Sequence, residues 1–235
     1  MSDLTLLYYT SNTIEEATRQ KISDYLLEVT ENKYPIISVS QKPINLGKNI
    51  CVGDIGANKF NAYKQILIGA REVKTKYVAC IDDDTLYSPD HFLYRPKEDD
   101  VFSYETNYWF AQPGKDYYWR VNDINKMGGM WGCISTAKVL RDNLTQRFNV
   151  YPTISNKVVV WGEPGIKDEQ YGMVSNHIKR SSKTPCAVFI HPASMGYNQF
   201  RKWHRRYGHP LPEDKIESLE QFGNIKDLFV KYFGE

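Results

Sequence analysis

The sequence predicts an α/β fold, with a mixed, mainly parallel sheet flanked by helices in a single domain, and three observations lead to it. Short apolar segments alternate with segments whose apolar residues recur at helical spacing. This alternation runs from Leu4 to Ile81, and polar or glycine-rich turns separate the segments. The chain of 235 residues is long enough for one large domain with a core of its own.

The first half has the most regular pattern. Residues 4–10, LTLLYYT, form a predicted strand, and a helix follows in which Thr13 and Glu16 have capping-box spacing. Two further strands are predicted at residues 36–40 and 77–81, with a helix over residues 60–73 between them. Ligands of parallel sheets gather at the carboxyl ends of the strands, which is where the third strand runs into Asp82.

The second half is less regular and rich in aromatic residues, and the change near residue 100 suggests two halves of one fold. A glycine turn is expected at residues 127–132, followed by a helix from Ser135. Later elements are a strand over 158–161, a helix from about Lys167, a strand over 186–190 and an amphipathic tail helix carrying Ile216, Leu219, Phe222, Leu228 and Phe229.

The composition excludes several classes of protein. With 30 basic and 28 acidic residues, the whole chain is not a polycation that coats nucleic acid or anionic lipid. The four cysteines form no CxxC pair, which argues against a zinc cluster or a disulfide scaffold and predicts a cytoplasmic protein. No leader sequence and no run of about 20 apolar residues is found, so no membrane span is expected.

Three consecutive carboxylates, Asp82, Asp83 and Asp84, stand at the end of the third strand, in VACIDDDTLYSPDHF. Each raises the pKa of the others unless a cation lies among them. Oxygen ligands of this kind suit Mg²⁺ or Mn²⁺, usually together with substrate phosphates. The alternative is an acidic, solvated turn, and the buried strand before it argues against that interpretation.

The stretch GANKFNAYKQILIGAREVKTKYVACIDDDTLYSPDHF resembles the core of GT-A-fold nucleotide-sugar glycosyltransferases, most clearly over residues 53–92. The resemblance implies a Rossmann-like domain over residues 1–235. Its nucleotide-sugar-binding half would be 1–100, and its acceptor-binding half, with a basic loop and a C-terminal helix, would be 101–235. It also implies roles for individual residues.

Asp84 would bind the metal, with His191 as a second ligand, and Asp82 would face the ribose or donor sugar, while Asp83 could do either. The residues expected to bind the nucleotide-sugar, besides these aspartates, are Tyr9, Thr10, Ser11, Asn12, Lys59, Asn61, Arg201 and Lys202. Ordinary turn chemistry for residues 10–12, a structural role for His191 and a solvated basic loop are the alternatives.

Members of this family also carry an acidic pair that takes the proton from the attacking hydroxyl. In WGEPGIKDEQYGMV, Asp168 and Glu169 are the predicted pair, with Glu163 in reserve. The alternative is that they stabilise a helix N-terminus through its dipole. Trp109, Trp131 and the Gly129 turn are predicted to bind the acceptor, although the aromatic residues could equally belong to the core.

The resulting expectation is a metal-dependent glycosyltransferase that uses Mn²⁺ or Mg²⁺ and a nucleoside-diphosphate sugar, with uridine the favoured base and inversion the favoured outcome. The acceptor would be a glycan or a hydroxymethylated base in DNA, the latter in a bacteriophage-type enzyme working in the host cytoplasm. The competing hypotheses are a nuclease or phosphatase with two metals about 4 Å apart, and a non-catalytic sugar- or nucleic-acid-binding module.

Overall fold

A seven-stranded sheet forms the centre of the computed structural model, which describes residues 2–121, 128–153, 162–166, 168–191 and 213–234. The strands are β1 (Leu4–Thr10), β2 (Ile36–Ser40), β3 (Lys48–Cys51), β4 (Tyr77–Asp82), β5 (Thr85–Leu86), β6 (Val101–Glu105), β7 (Tyr108–Ala111), β8 (Tyr118–Val121), β9 (Cys133–Thr136), β10 (Asn176–Arg180), β11 (Cys186–Phe189), β12 (Glu213–Ile216), β13 (Ser218–Leu219) and β14 (Gly223–Asn224). The helices are α1 (Glu16–Val29), α2 (Lys59–Glu72), α3 (Ala137–Val150) and α4 (Ile225–Phe233), with 3-10 helices at Pro89–Leu93, Met130–Gly132 and Asp168–Tyr171.

The large sheet has the strand order β10-β6-β9-β4-β1-β2-β3 and is parallel except for β9, which runs antiparallel to β4 and β6. A five-stranded sheet, β12-β8-β7-β11-β5, lies beside it, and β13 pairs with β14. The predicted fold class, a mixed and mainly parallel sheet flanked by helices, is therefore confirmed. The large sheet takes strands from both halves of the sequence.

Both faces of the large sheet are buried along β6, β9, β4, β1 and β2, as expected for strands that are covered on both sides. Alternate residues of β1 point to opposite faces. Leu7 and Tyr9 pack with residues of α2 and α3, while Leu6 and Tyr8 pack with Leu26 of α1 and with residues of the smaller sheet. The same alternation decides below where each aspartate points.

Local pattern predicted the first half well. The strands expected at 4–10, 36–40 and 77–81 match β1, β2 and β4, and α2 begins at Lys59, where the Asn58 side chain caps Asn61 N at 2.9 Å. The capping box was wrong. Helix α1 begins at Glu16 after Glu15, and the Thr13 hydroxyl instead lies 3.1 Å from that of Ser11.

The predictions for the second half need more correction. The helix expected from Ser135 begins at Ala137, since residues 133–136 form β9. The predicted tail helix starts only at Ile225, because β12, β13 and β14 occupy the sequence before it. The helix expected near Lys167 is the single 3-10 turn Asp168–Tyr171, and the strand expected at 158–161 lies outside the described residues. None of the described helices has the length and apolar character needed to cross a membrane.

A buried polar network joins β6, β10 and the first 3-10 helix. Glu105 accepts hydrogen bonds from Arg180 Nη1 at 2.7 Å and from three backbone N–H groups, and Arg180 Nη2 donates to His91 Nδ1 at 2.9 Å. Burial, with Arg180 adding to it, lowers the pKa of His91 from 6.5 to about 4. The imidazole is therefore neutral in the folded protein at pH 7.

Because of this network, we expect the folded protein to lose stability in acid, and we expect the variant His91→Asn to lack this loss. The unfolded chain protonates His91 near pH 6.5, while the folded protein resists protonation down to about pH 4. Stability from this group is therefore present above pH 6.5 and is lost as the pH falls towards 4. We expect the unfolding free energy of the wild type, relative to His91→Asn, to fall by about 3 kcal/mol between pH 7 and pH 4. Urea unfolding of both proteins measures it, and a constant difference would contradict it.

Candidate active site at the carboxyl end of β4

The three aspartates at the carboxyl end of β4 diverge towards three parts of the protein. Asp82 follows Cys80 on the face that packs on α2, so its side chain meets Tyr9 of β1. Asp83 reaches Thr10 on the opposite side of the sheet. Asp84 lies next to β11, where its carbonyl accepts a hydrogen bond from Phe189 N at 2.8 Å. The triplet is therefore three separate groups at one sheet edge.

Asp83 contacts protein rather than open space. It is 8% exposed, and it accepts a hydrogen bond from the hydroxyl of Thr10, which in turn accepts one from Asn12 N at 2.8 Å. Burial raises the pKa of Asp83, while the Thr10 hydrogen bond and the Arg19 charge oppose that rise. The Asp83 carboxylate thus fixes the turn after β1.

Asp82 connects the cluster to two aromatic residues. Tyr9 donates to its carboxylate at 3.3 Å, and the Asp82 N–H donates to the hydroxyl of Tyr87 at 3.0 Å, which itself donates to Trp131 O at 2.9 Å. Burial, followed by the charges of Asp84 and Asp83, raises the pKa of Asp82. The Tyr87 hydroxyl thus links the backbone carbonyl of Trp131 to the carboxylate cluster.

Asp84 and His191 form the part of the site that fits a metal. Asp84 Oδ2 lies 3.9 Å from His191 Nε2, and the Thr85 hydroxyl donates to Asp84 Oδ1 at 3.2 Å. Burial and the neighbouring Asp83 raise the pKa of Asp84 to about 7. Burial lowers the pKa of His191 to about 4, so its imidazole is in the neutral form that metals bind.

These two side chains suit a divalent cation that arrives with a substrate. Within the described ranges, no group of three or more His, Cys, Asp or Glu residues is placed to hold a metal ion. A carboxylate and an imidazole are acceptable ligands for Mn²⁺, and phosphate oxygens and water would supply the rest of its coordination.

The turn after β1 and the loop before α2 form one hydrogen-bonded platform. Asn12 adopts a left-handed conformation with φ of 57°, which Asn tolerates, and its Oδ1 accepts from Gln41 N at 2.8 Å and Lys42 N at 2.9 Å. Gln41 Oε1 accepts from Ile55 N and Gly56 N, both at 3.1 Å. The Asn61 amide donates to the carbonyls of the same loop. Asn61 thus orders this loop, and Asn12 holds β2 beside it.

Glu163 lies near Tyr9, the residue whose hydroxyl donates to Asp82. Tyr63 donates to its Oε2 at 2.7 Å, and Lys59 Nζ lies 3.5 Å from its Oε1. Burial raises the pKa of Tyr9, and Asp82 and Glu163 both raise it further, because both carboxylates lie near its phenol. Glu163 is 19% exposed in its side chain, so a substrate can reach it.

The two residues predicted as the acidic pair have different surroundings. Asp168 is 2% exposed and pairs with the fully buried Arg147, whose Nη2 donates to its Oδ1 at 2.5 Å. Glu169, the next residue, is exposed. The sequence predicted that one carboxylate of this pair takes the proton, and the structure buries Asp168 and exposes Glu169 to solvent.

The predicted acceptor residues are also separated. Trp131 packs edge-to-face on Tyr108 at 5.0 Å, and Gly129 lies against its indole. Trp109 points to the other face of β7, where Arg120 stacks on it at 4.5 Å, so it is not brought together with Trp131. Arg201 and Lys202 lie outside the described residues.

Sequence reasoning missed three residues that shape this site. Tyr63 and Arg147 lie on α2 and α3 at positions that read as ordinary helix residues, and Gln41 follows β2. Only Gln41 had a local signal, since it directly follows a predicted strand on the side where ligands gather. The roles of Tyr63 and Arg147 depend on long-range contacts.

No family model matches the chain, and no curated protein matches it in sequence. Solved structures with a similar course of the chain include the inositol-1-phosphate CTP transferase from T. maritima, with a TM-score of 0.47 and 11% identity over 83% of this chain and 93% of that one. A glycosyltransferase involved in the glycosylation of the major capsid of PBCV-1 has a TM-score of 0.42 and 10% identity, over 76% of this chain and 81% of that one.

The bifunctional IspDF from Campylobacter jejuni is similar with a TM-score of 0.43 and 10% identity, over 78% of this chain and 50% of that one, so the chain spans about half the length of that protein. Because these TM-scores are below 0.5, the similarities assign neither an activity nor a substrate to this chain. The seven-stranded, mainly parallel α/β sheet is itself established by the strand pairing.

Proposed function

We propose that this chain is a metal-dependent glycosyltransferase that moves a sugar from a nucleoside-diphosphate donor to a hydroxyl group. One observation carries the proposal: Asp82 and the Asp84–His191 pair lie at the carboxyl end of β4 in a parallel sheet, and Glu163 lies near the Tyr9 phenol that donates to Asp82. This edge is where α/β proteins bind nucleotides. The half-buried carboxylates there have raised pKa values, which a cation would relieve.

The donor would lie across β1, β2 and β4. The turn at Asn12 and the loop fixed by Gln41 and Asn61 provide a rigid, polar edge for the base and ribose. Asp84 and His191 would hold Mn²⁺ or Mg²⁺ against the diphosphate. When bound there, such an ion would neutralise the negative charge that develops on the leaving nucleoside diphosphate.

Glu163 is the group best placed to act as base. Its carboxylate is accessible and lies 3.5 Å from Lys59 Nζ, and it can accept the proton of the acceptor hydroxyl as that oxygen bonds to the sugar carbon. The bond from sugar to diphosphate breaks in the same displacement, which inverts the sugar carbon. Asp168 and Glu169 remain the alternatives predicted from sequence.

A uridine donor and an acceptor hydroxyl on a glycan or on a hydroxymethylated base in DNA complete the proposal. Trp131, which Tyr87 links to Asp82, offers an aromatic surface for either kind of acceptor. Incubation with a radiolabelled UDP-sugar, and with either hydroxymethylcytosine-containing DNA or a glycan panel, decides between the two acceptors by which product carries the label.

A thermal-shift panel tests the proposal directly. UDP, GDP, CDP and dTDP are each added with and without Mn²⁺, and the melting temperature is measured. We expect one of them to raise the melting temperature only when Mn²⁺ is present, because a ligand that binds the folded state stabilises it. No response to any nucleotide would overturn the proposal and favour the nuclease or binding-module hypothesis.

A further inference from the structure

We propose that Asp168 is a positioning residue. Together with Arg147 it clamps both ends of the segment 162–165 and so sets the position of Glu163. The inference rests on the proposed function, in which Glu163 is the base. It assigns the buried acidic residue a task other than proton transfer.

Both carboxylate oxygens of Asp168 accept hydrogen bonds from groups of the protein. Oδ1 accepts the hydrogen bond from Arg147 Nη2. Oδ2 accepts from Gly165 N at 2.6 Å, from Asn143 Nδ2 at 2.8 Å and from the hydroxyl of Ser175. Charge-assisted hydrogen bonds of this kind are about twice as strong as neutral ones. At 2% exposure, this carboxylate holds structure together and does not meet a substrate hydroxyl.

Arg147 extends the clamp to the other end of the segment. Its Nη1 donates to Gly162 O at 2.5 Å, directly before Glu163, and its guanidinium stacks on the ring of Tyr171 at 4.6 Å. The Asp168–Arg147 pair is therefore hydrogen-bonded to the carbonyl of Gly162 and to the N–H of Gly165, which flank Glu163 and Pro164.

The backbone between those two points is held as well. The Tyr104 hydroxyl donates to Pro164 O at 2.7 Å, and His177 Nδ1 donates to Gly165 O at 2.9 Å. Gly165 has φ of +83°, and a Cβ there would lie 2.8 Å from Asn176 O, so the segment packs directly against β10. A short loop fixed in this way can present the Glu163 carboxylate in one orientation.

Correct orientation matters because a displacement of about 1 Å in a catalytic group can lower the rate by about 100-fold. Tyr63 and Lys59 of α2 hold the Glu163 side chain, while Arg147 of α3 and Asp168 of the 3-10 helix Asp168–Tyr171 hold the backbone on either side of it. Loss of the clamp should therefore impair turnover and leave donor binding unchanged, since neither clamp residue lies at the β1 turn, at Asp84 or at His191.

The test compares Asp168→Asn, Glu163→Gln and the double variant. Steady-state release of UDP from UDP-glucose, UDP-galactose and UDP-N-acetylglucosamine is measured with Mn²⁺, well below each melting temperature. For Asp168→Asn we expect kcat to fall about 10- to 100-fold with an unchanged donor KM. The double variant should be no slower than Glu163→Gln alone, because the clamp acts through Glu163.

Ser175→Ala is the milder variant, should Asp168→Asn fold poorly. It removes one donor to Asp168 and keeps the Arg147 pair, and we expect kcat to fall a few-fold at constant KM. A stability role alone would lower the melting temperature of both variants and leave kcat at the wild-type value, which would overturn the proposal.

The failure of this inference differs from the failure of the proposed function. If Glu163→Gln is inactive while Asp168→Asn keeps the wild-type kcat, only the clamp is wrong. If Glu163→Gln keeps full activity, Glu163 is not the base. If Asp168→Asn is as inactive as Glu163→Gln and the double variant is slower still, Asp168 takes part in the chemistry itself, which also overturns the positioning role.

Discussion

Replacing Glu163 by glutamine is expected to lower kcat for sugar transfer by about 10²- to 10⁴-fold, the usual contribution of a general base. Glutamine keeps the size of the side chain and an acceptor for the Tyr63 hydroxyl, but it cannot take a proton. Binding of the nucleoside diphosphate should persist, because Glu163 does not contact the Asp84–His191 pair or the turn at Asn12. Transfer assays with saturating UDP-sugar measure the first effect, and the Mn²⁺-dependent thermal shift with UDP measures the second.

A matched control lies at the other end of α2. Glu72 pairs with Lys48 at 2.7 Å, the same kind of contact that Glu163 makes with Lys59, but it sits at the opposite end of the helix from the site. Glu72→Gln should therefore keep the wild-type rate. If Glu169→Gln were inactive and Glu163→Gln were not, the exposed member of the acidic pair predicted from sequence would be the base.

The sequence could predict the elements whose signal is local. Strand β4 and its triplet of aspartates, strand β1 with its polar turn, and helix α2 with its start at Lys59 are each specified by a short run of residues. The parallel sheet then follows from the order of these elements, and it brings the ends of β1 and β4 together.

Other features depend on contacts between residues that are far apart in the sequence. Asp168 and Glu169 are adjacent acids in the sequence, and only the approach of Arg147 from α3 buries one of them. Trp109 and Trp131 look alike as aromatic residues in the sequence. The alternation of side chains along β7, however, turns Trp109 away from the face on which Trp131 packs. The tail pattern of apolar residues fits a helix as well as it fits short strands followed by a helix, and pairing with β8 decides the outcome.

Replacing Asp84 by asparagine is expected to raise the stability of the folded protein at alkaline pH and to weaken ligand binding. Without metal, the pKa of the folded Asp84 carboxyl is about 7, whereas the ordinary pKa of an Asp carboxyl is 3.8. Stability linked to this group is thus fully present below pH 3.8 and is lost as the pH rises through 7. At pH 8 with EDTA, we expect Asp84→Asn to be more stable than the wild type by roughly 1–4 kcal/mol.

Binding should show the reverse, since the same substitution removes a metal ligand. The Mn²⁺-dependent affinity for UDP is expected to fall by at least about 100-fold, because outer-shell partners of metals alone are worth 10- to 100-fold. His191→Asn should weaken UDP binding in the same way without relieving the repulsion among the aspartates, and Asp24→Asn, on the exposed face of α1, should change neither property. Wild-type UDP binding by Asp84→Asn would place the metal elsewhere. Unchanged stability at pH 8 would mean that neither burial nor the charge of Asp83 disfavours the Asp84 carboxylate in the folded protein, and the physical reason for a cation at this edge of the sheet would then be lost.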